Sequence, residues 1–411
     1  MTDRRIVITG LGAVTCAGNS LPETWAKLIA GQSGIGRVTR FDPAGLPDCA
    51  GEVRGLELDG LTPKEVRRMS RSAQFAVAAA DEAMRQAGLG RSPDDPVRCG
   101  VLVGNGGAGV DEYENSMAAL ARRGPGGVSA FFIPKFMPNS AAGSVAIRYG
   151  FRGPCFDPAS ACASGAHAIG EAFWMIRRGD ADVMLAGGAD ACLTRTMMSG
   201  FHSLTALSCA SDPARACRPF DLNRDGFVLS EGAGILVLEE LEHARKRGAE
   251  ILAELAGYGA TCDAYHITAP DPSGTGLVLA MDAALRLAAC PPECIGCISA
   301  HGTGTVANDR CEAKAIRQFF GDRTDRIKVS AVKSMTGHAI GASGAIAAAA
   351  SVMTLRTGIV PPTINYETPD PECPLDVTPN RAAELHTEAV MTNSLGFGGH
   401  NAVLLFRRWK G

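Results

Sequence analysis

Charge of either sign gains no upper hand along this chain: 40 Lys and Arg stand against 43 Asp and Glu, a net −3 at pH 7. That balance removes any global electrostatic argument for nucleic acid or an anionic membrane as partner, so an acidic partner must be met by a local basic patch. Aromatic residues are scarce at 6%. With 49 glycines and 46% hydrophobic residues, the chain packs its elements through small side chains and has no disordered character. Long apolar runs are missing too. The longest weakly polar stretch, "AIGASGAIAAAASVM" (339–353), falls short of the ~20 residues a membrane-spanning helix needs and reads as a buried helix. "MTDRRIVITGLGAV" passes from charge into a strand without the apolar core of a signal peptide, so a cytoplasmic protein is expected. Fourteen cysteines spread over 411 residues do not form the compact framework of a small secreted fold, and they are expected reduced.

A chain of this length is long for one hydrophobic core, so two units or a duplicated domain are expected. Periodicity predicts strands near 5–9, 99–104, 182–187 and 233–239, with helices near 70–88, 140–149 and 163–178. That alternation belongs to an α/β protein with helices on sheet faces. A charged helix over "LEELEHARKRGAEI" (238–251) leads to a second series: strand 252–261, helix 274–288, strand 297–300, helix 309–320, the Ala-rich helix and a final strand in "AVLLFRR". The two series agree in order. The boundary falls near residue 250, dividing 1–250 from 251–411.

Two motifs invite readings that their context does not support. "GNGGAG" (104–109) matches G-x-G-x-x-G after a strand, but no acidic residue ends a second strand roughly 20 residues on, so a tight structural loop is expected. "CIGC" (294–297) has no second pair at zinc spacing, and Cys297 sits in a strand where a thiol serves as a small core residue. Other stretches fit chemistry better. "DPASACASGAHAIGEAF" (157–173) places Cys162 where a strand gives way to a helix of small residues. "AHGTGTVANDRCEA" (300–313) ends a strand on His301, followed by glycines and the hydroxyls of Thr303 and Thr305. "SAVKSMTGHAIGASGA" (330–345) supplies Lys333 and His338, and "NSLGFGGHN" (393–401) a glycine-flanked Phe397 in a loop that approaches something closely. A single histidine reads as structural. One Cys, two His and one Lys at element ends fit a nucleophilic acyl-transfer site.

In this order and approximate spacing, the motifs resemble those of the elongating β-ketoacyl-[acyl-carrier-protein] synthases, the ketosynthase II branch of the thiolase-like superfamily. The resemblance runs from "RRIVITGLGAV" through "RPFDLNRDGFVLSEGAGILVLEELEHARKRGA" and "DAYHIT" to "NSLGFGGHN". It implies an α/β fold with a thiolase-like duplicated core, layered αβαβα, whose first half carries the nucleophile and whose second half carries the His/His/Lys motifs. A homodimer is implied as well. Cys162 would be the nucleophile at the start of helix 163–178, where the dipole and local N–H groups favour thiolate. The N–H groups of Cys162 and Phe397 would form the oxyanion hole, and His301 and His338 would donate hydrogen bonds to a malonyl thioester. Lys333 and Glu312 would form an ion pair that fixes the histidines. Thr268, Thr303, Thr305, Phe201 and Gly398 would hold substrate and pantetheine arm, with Phe397 as gate. The implied reaction is a decarboxylative Claisen condensation of acyl-Cys162 with malonyl-carrier in fatty-acid elongation. It needs no cofactor or metal of its own, because phosphopantetheine arrives on the acyl carrier protein. Lys64, Arg67 and Arg68 in "PKEVRRMSR" fall at i, i+3 and i+4 of a helix start and read as a docking patch for that acidic carrier, against the plainer reading of a solvated face.

Departures from the family pattern bear on the substrate rather than the reaction class. "GNGGAG" is one residue short and lacks a bulky aliphatic side chain, Leu395 stands where an aromatic is common, and His400 where a small residue is usual. His202 and Thr205 replace a glycine and an arginine, and "GPGGVS" lacks a basic pair. The alternatives are therefore a dedicated type II polyketide or polyene ketosynthase, and a heterodimer with a chain-length-factor-like subunit. A non-catalytic chain-length factor itself lacks the nucleophile that Cys162 supplies. A thiolase needs a second cysteine in the closing loop, and "LGFGGHN" has none.

Overall fold

The computed structural model describes residues 4–91 and 93–411. The run IVITGLGAV is buried along its whole length and forms strand β1 (Ile6–Val14), as expected of a strand covered on both faces. After it come the short helix α1 (Pro63–Arg68), helix α2 (Arg71–Gln86), strand β2 (Cys99–Gly104), helix α3 (Ser140–Tyr149), the edge strand β3 (Cys155–Phe156), helix α4 (Ser164–Arg178), and strands β4 (Val183–Asp190) and β5 (Gly232–Glu240). The series then repeats. Strand β6 (Ala253–Cys262), helix α5 (Thr275–Leu287), strand β7 (Ile295–Ser299), helix α6 (Val306–Phe320), strand β8 (Lys328–Ser330), the one-turn helix α7 (Lys333–Thr336), helix α8 (Ser343–Thr357) and a hairpin of β9 (Ala389–Gly396) and β10 (His400–Arg407) complete it.

Among the described residues, ten strands form one sheet in the order β8-β7-β9-β10-β6-β1-β5-β4-β2-β3. Outward from the middle, β1-β5-β4-β2-β3 mirrors β6-β10-β9-β7-β8, with the same parallel and antiparallel neighbours in each half. Three residue pairs join the halves at β1 and β6: Ile6 with Leu255, Val7 with Glu254 and Ile8 with Ala253. Helix α4 packs on β4 and β2 and also reaches β6 and β10, while α8 packs on β5 and β9. Helices α2 and α3 cover the outer face of the first half, and α5 with α6 that of the second. The layers are therefore αβαβα, with α4 and α8 in the middle.

Composition explains that middle layer. Helix α8, SGAIAAAASVMTLRT, has almost no polar face and is buried on all sides, which is where a helix of uniform small apolar residues belongs. Its lead-in meets α4 without side chains between them: a Cβ on Gly165 would lie 2.6 Å from the Gly341 carbonyl oxygen, so only glycine permits the approach. The duplication also shows in the letters. A 3₁₀ turn at Ala161–Ala163 leads into α4 as one at Ile340–Ala342 leads into α8, and "ASGA" recurs at 163–166 and 342–345. The first residue of each turn, Ala161 (φ +51°) or Ile340 (φ +45°), is left-handed without being glycine, a conformation that surrounding contacts must hold.

Several expectations shift. The charged stretch 238–251 is not one helix, since Leu238–Glu240 finish β5, the helix spans only Leu241–Lys246, and Gly248 (φ +68°) follows it. The helix expected at 309–320 begins at Val306, and the Ala-rich segment opens with its 3₁₀ turn and runs on to Thr357. The loop expected over 393–401 is mostly strand: Gly396 pairs with His400, leaving 397–399 as the hairpin tip. Polar letters disguised β9. Thr392 and Asn393 are buried but bonded, Thr392 Oγ1 to Ser351 Oγ at 2.8 Å and Asn393 Nδ2 to Glu312 Oε1 at 3.2 Å. Among the described residues no helix is long and apolar enough to cross a membrane.

Candidate active site

One cavity of about 370 Å³ gathers eight of the residues singled out by sequence: Cys162, Phe201, Thr268, His301, Thr303, Thr305, His338 and Phe397. Cys162 is the middle residue of the turn before α4 and is 8% exposed. Its sulfur faces its own backbone N–H and that of Phe397, both of which favour the thiolate. Phe397 reaches it from the hairpin tip, which lies so close that a Cβ on Gly396 would be 2.6 Å from the Ser160 carbonyl oxygen. Gly398 (φ +88°) turns the tip and donates its N–H to the Ile267 carbonyl at 2.7 Å; it does not line the cavity.

The thiol departs from expectation. Burial beside Leu193, Met198, Phe227 and Ile340 pushes it up to about 11, although Lys333 and the two N–H groups pull the other way. Desolvation of the thiolate outweighs the donors at the helix start. A neighbouring thiol is present as well: Cys192 lies in the same apolar cluster, fully buried, with its proton held more tightly still by burial and by Asp190.

His301 follows β7 and His338 follows α7, and their rings meet edge to face at 5.4 Å between centroids. Phe227 packs edge-on against His338 at 5.1 Å and Phe201 against Phe227 at 5.2 Å, so the imidazoles sit at the end of an aromatic stack. Burial, reinforced by the Lys333 charge, lowers both histidines well below their ordinary value, and both are neutral at physiological pH. Lys333 Nζ lies 3.4 Å from His301 Nδ1, and Ser343 Oγ 2.9 Å from His338 Nδ1. An ammonium can only donate, so His301 Nδ1 accepts and its Nε2 carries the hydrogen.

Lys333 and Glu312 are both buried, yet they do not form the direct ion pair expected of them. Lys333 Nζ donates to the His301 carbonyl at 2.6 Å, whereas the Glu312 carboxylate accepts the N–H groups of His301 and Gly302, each at 2.8 Å, and the Asn393 amide. Lys333 thus holds the His301 carbonyl while Glu312 holds its N–H. Burial lowers the Lys333 ammonium, which the Glu312 charge offsets in part, and raises the Glu312 carboxyl, which the N–H donors of Gly302, His301 and Asn393 offset in part.

Sequence reasoning missed Asp309. It sits one turn before Glu312 on α6 and accepts the N–H groups of Thr303 at 3.1 Å and Gly304 at 3.3 Å, so two carboxylates on one helix face hold four successive N–H groups of the histidine loop. Arg224, 3.4 Å away and also bonded to Asp370 at 2.7 Å, balances its charge. The i, i+3 spacing of Asp309 and Glu312 in "NDRCEA" was the available signal. Thr303 and Thr305 join hydroxyls at 2.9 Å, and Thr268 lies at the mouth beside His266. Lys64, Arg67 and Arg68 are outside the cavity, exposed on α1, whose Thr62–Glu65 capping box fixes the helix start. The "GNGGAG" loop is structural as expected, since the Gly106 and Gly107 N–H groups are taken by the Asp190 carboxylate rather than presented to a phosphate. Cys297 is buried in β7.

Comparison with known proteins places the whole chain in one family. Residues 3–244 match the family described as beta-ketoacyl synthase, N-terminal domain, and residues 252–367 the corresponding C-terminal domain. The chain is 46% identical over 410 residues to the 3-oxoacyl-[acyl-carrier-protein] synthase 2 of Staphylococcus aureus (strain COL), covering 99% of both proteins. It superposes with a TM-score of 0.93 on a chain from a complex of a type II polyketide acyl-carrier protein with its ketosynthase, at 36% identity over 99% of this chain and 100% of that one. The ishigamide ketosynthase/chain length factor gives the same TM-score at 37% identity, with coverage of 99% and 100%. The chain belongs to the β-ketoacyl synthase family, and its fold is that of the thiolase-like ketosynthases.

Proposed function

We propose that this protein catalyses the decarboxylative condensation of an acyl thioester with malonyl-[acyl-carrier protein], giving 3-oxoacyl-[acyl-carrier protein] and carbon dioxide in fatty-acid elongation. The observation that carries the reading is the meeting, in one cavity, of a cysteine sulfur facing two backbone N–H groups with two neutral histidines. In the first half-reaction the Cys162 sulfur attacks the acyl thioester, and the N–H groups of Cys162 and Phe397 stabilise the oxyanion, each donor worth roughly 3 to 4 kcal/mol of barrier. The carrier's pantetheine thiol leaves with the proton that Cys162 gives up, so no outside base is consumed. In the second, His301 and His338 donate to the malonyl thioester carbonyl. Loss of carbon dioxide leaves its bonding electrons as an enolate, which attacks the acyl carbonyl and expels the Cys162 thiolate for reprotonation. Neutral imidazoles suit this step because they stabilise negative charge without protonating the carbanion. Lys333, Glu312 and Asp309 fix the His301 loop, while Thr268, Thr303, Thr305 and Phe201 border the path of the pantetheine arm and the acyl chain.

The fatty-acid assignment rests on the 46% identity to 3-oxoacyl-[acyl-carrier-protein] synthase 2, against 36 to 37% for the polyketide structures. The carrier is taken to dock at Lys64, Arg67 and Arg68 and to bring the only prosthetic group the reaction needs. A dimer is expected at the β3 edge, where Phe156, Phe131, Ile133, Met137 and Ile147 are exposed, Ile147 at 85%. The cytoplasm, which holds acyl carriers and thiols in reduced form, is the expected compartment. Intact-protein mass spectrometry with a panel of acyl-carriers tests the reading. Adducts from saturated acyl-carriers, lost in Cys162→Ala, support it; adducts from polyketide or polyene carriers alone would transfer the enzyme to the dedicated pathway.

A further inference from the structure

Asp190, the last residue of β4, is fully buried. Its carboxylate accepts the N–H groups of three glycines: Gly106 at 2.8 Å and Gly107 at 3.1 Å in the loop after β2, and Gly341 at 2.7 Å in the turn before α8. The Cys192 thiol adds a fourth contact at 3.3 Å. Four converging donors make a preformed hole for an anion, filled by a side chain of the protein itself. Its place in the duplication gives it meaning. Gly341 holds in the second half the position that Cys162 holds in the first, and β4 ends at Asp190 as β9 ends at Gly396 beside Phe397. The Cys162 turn turns its N–H toward the reacting sulfur, whereas its copy turns the Gly341 N–H toward Asp190.

We propose that Asp190 is a positioning residue for the condensing half-reaction: by closing the second copy of the anion-binding turn, it locks Gly341, and with it His338 three residues earlier, against the loop behind Cys162. The inference rests on the condensing function proposed above. Gly106 is wedged between the leading residues of the two turns, since a Cβ there would lie 2.5 Å from Ile340 Cγ2 and 3.2 Å from the Ala161 carbonyl oxygen. The carboxylate therefore ties the Gly106 loop to Gly341 and so to the left-handed Ile340 that links it to His338. Removing it leaves the Gly106 and Gly341 N–H groups without their acceptor, while Gly107 keeps Asn105 Oδ1 at 3.0 Å, and it frees Ile340 from its tether. The titratable groups facing Asp190 are Cys192, Cys162 and Asp157, whose Oδ1 accepts the Asn105 N–H at 3.1 Å. Burial raises Asp190 to about 6 and Asp157 to about 8, so at neutral pH Asp190 carries the charge, and that charge opposes thiolate formation at Cys162.

Asp190→Asn tests the proposal by removing the negative charge and turning one of the two acceptor oxygens into a donor that faces N–H or thiol donors. Two rates are compared on purified protein: acyl transfer from an acyl-carrier to Cys162, and carbon dioxide release from malonyl-carrier. Release should fall about tenfold to a hundredfold while acyl transfer stays within about threefold, the split expected when one catalytic group is displaced and the other is not. Alkylation of Cys162 by iodoacetamide, read on its peptide by mass, should shift to lower pH because the opposing charge is gone. Should Asp190→Asn not fold, Gly341→Ala places a methyl 2.7 Å from Asp190 Oδ2 and should lower carbon dioxide release without moving the alkylation profile. Equal loss of both rates, or loss of neither, overturns the proposal. A wild-type protein that releases no carbon dioxide from malonyl-carrier would instead overturn the condensing function on which it rests.

Discussion

Each reactive side chain in this site has its character set by what buries it. The Cys162 thiol is the clearest case: apolar neighbours hold it up at about 11, and Lys333 with two N–H groups recovers only part of the shift. The thiolate fraction should then grow with pH across the neutral range. Iodoacetamide alkylation of Cys162 is expected to rise about tenfold per pH unit between pH 7 and 9; a plateau below pH 8 would show an already ionised thiol. The histidines are lowered by the same desolvation, which disfavours imidazolium as it disfavours thiolate. His301→Ala and His338→Ala should therefore slow carbon dioxide release by about a hundredfold or more, with acyl loading of Cys162 largely retained. Single-turnover measurement of the two steps separates them, and equal losses would contradict the division of labour.

Elements matter here mainly at their ends. The Cys162 turn, the His301 loop and the hairpin tip all lie at strand-to-helix or strand-to-strand junctions, with glycines where an added Cβ would meet backbone. Gly396→Ala should push the tip away from Ser160, misplace the Phe397 N–H and lower the acyl-loading rate by about 10². Asp309→Asn should cost about 1 to 3 kcal/mol of stability in urea unfolding, since it turns one oxygen that accepts backbone N–H groups into a donor, while Arg224 keeps Asp370 as its charged partner. Such junctions are also where the letters were hardest to read. Cys162, His301, His338 and Lys333 stood out because reactive residues among glycines and alanines have few structural reasons to be there. Strand β9 did not, because Thr392, Asn393 and Ser394 look like loop until their buried neighbours are known. Asp190 is invisible for a related reason: it acts through backbone N–H groups distant in sequence, and a lone aspartate carries no pattern, whereas Asp309 shows only its i, i+3 spacing to Glu312. The "ASGA" repeat at 163–166 and 342–345 was legible in the letters and is the trace of the duplication.

The whole molecule is two copies of one topology, and its chemistry is divided between them: the sulfur comes from the first, the imidazoles and the lysine from the second. That division makes the relative placement of the halves, through α4 and α8, matter to both proposed steps, since Phe397 and Lys333 of the second half also act on the Cys162 sulfur. On the outer surface, the charge of −3 leaves carrier recognition to local patches. Reversing Arg67 and Arg68 to Glu should raise the apparent KM for acyl-carrier, and added salt should weaken wild-type binding through screening, while turnover of a short acyl-pantetheine mimic barely changes. Loss on carrier and mimic alike would point to misfolding, and loss on neither would make these arginines solvated surface. The account as a whole is tested most directly by one reaction: purified protein, saturated acyl-carrier and malonyl-carrier, with the carrier-bound product read by mass. A 3-oxoacyl chain two carbons longer, formed with carbon dioxide and absent with Cys162→Ala, is the result predicted; an unextended acyl chain, or extension that survives loss of Cys162, would contradict it.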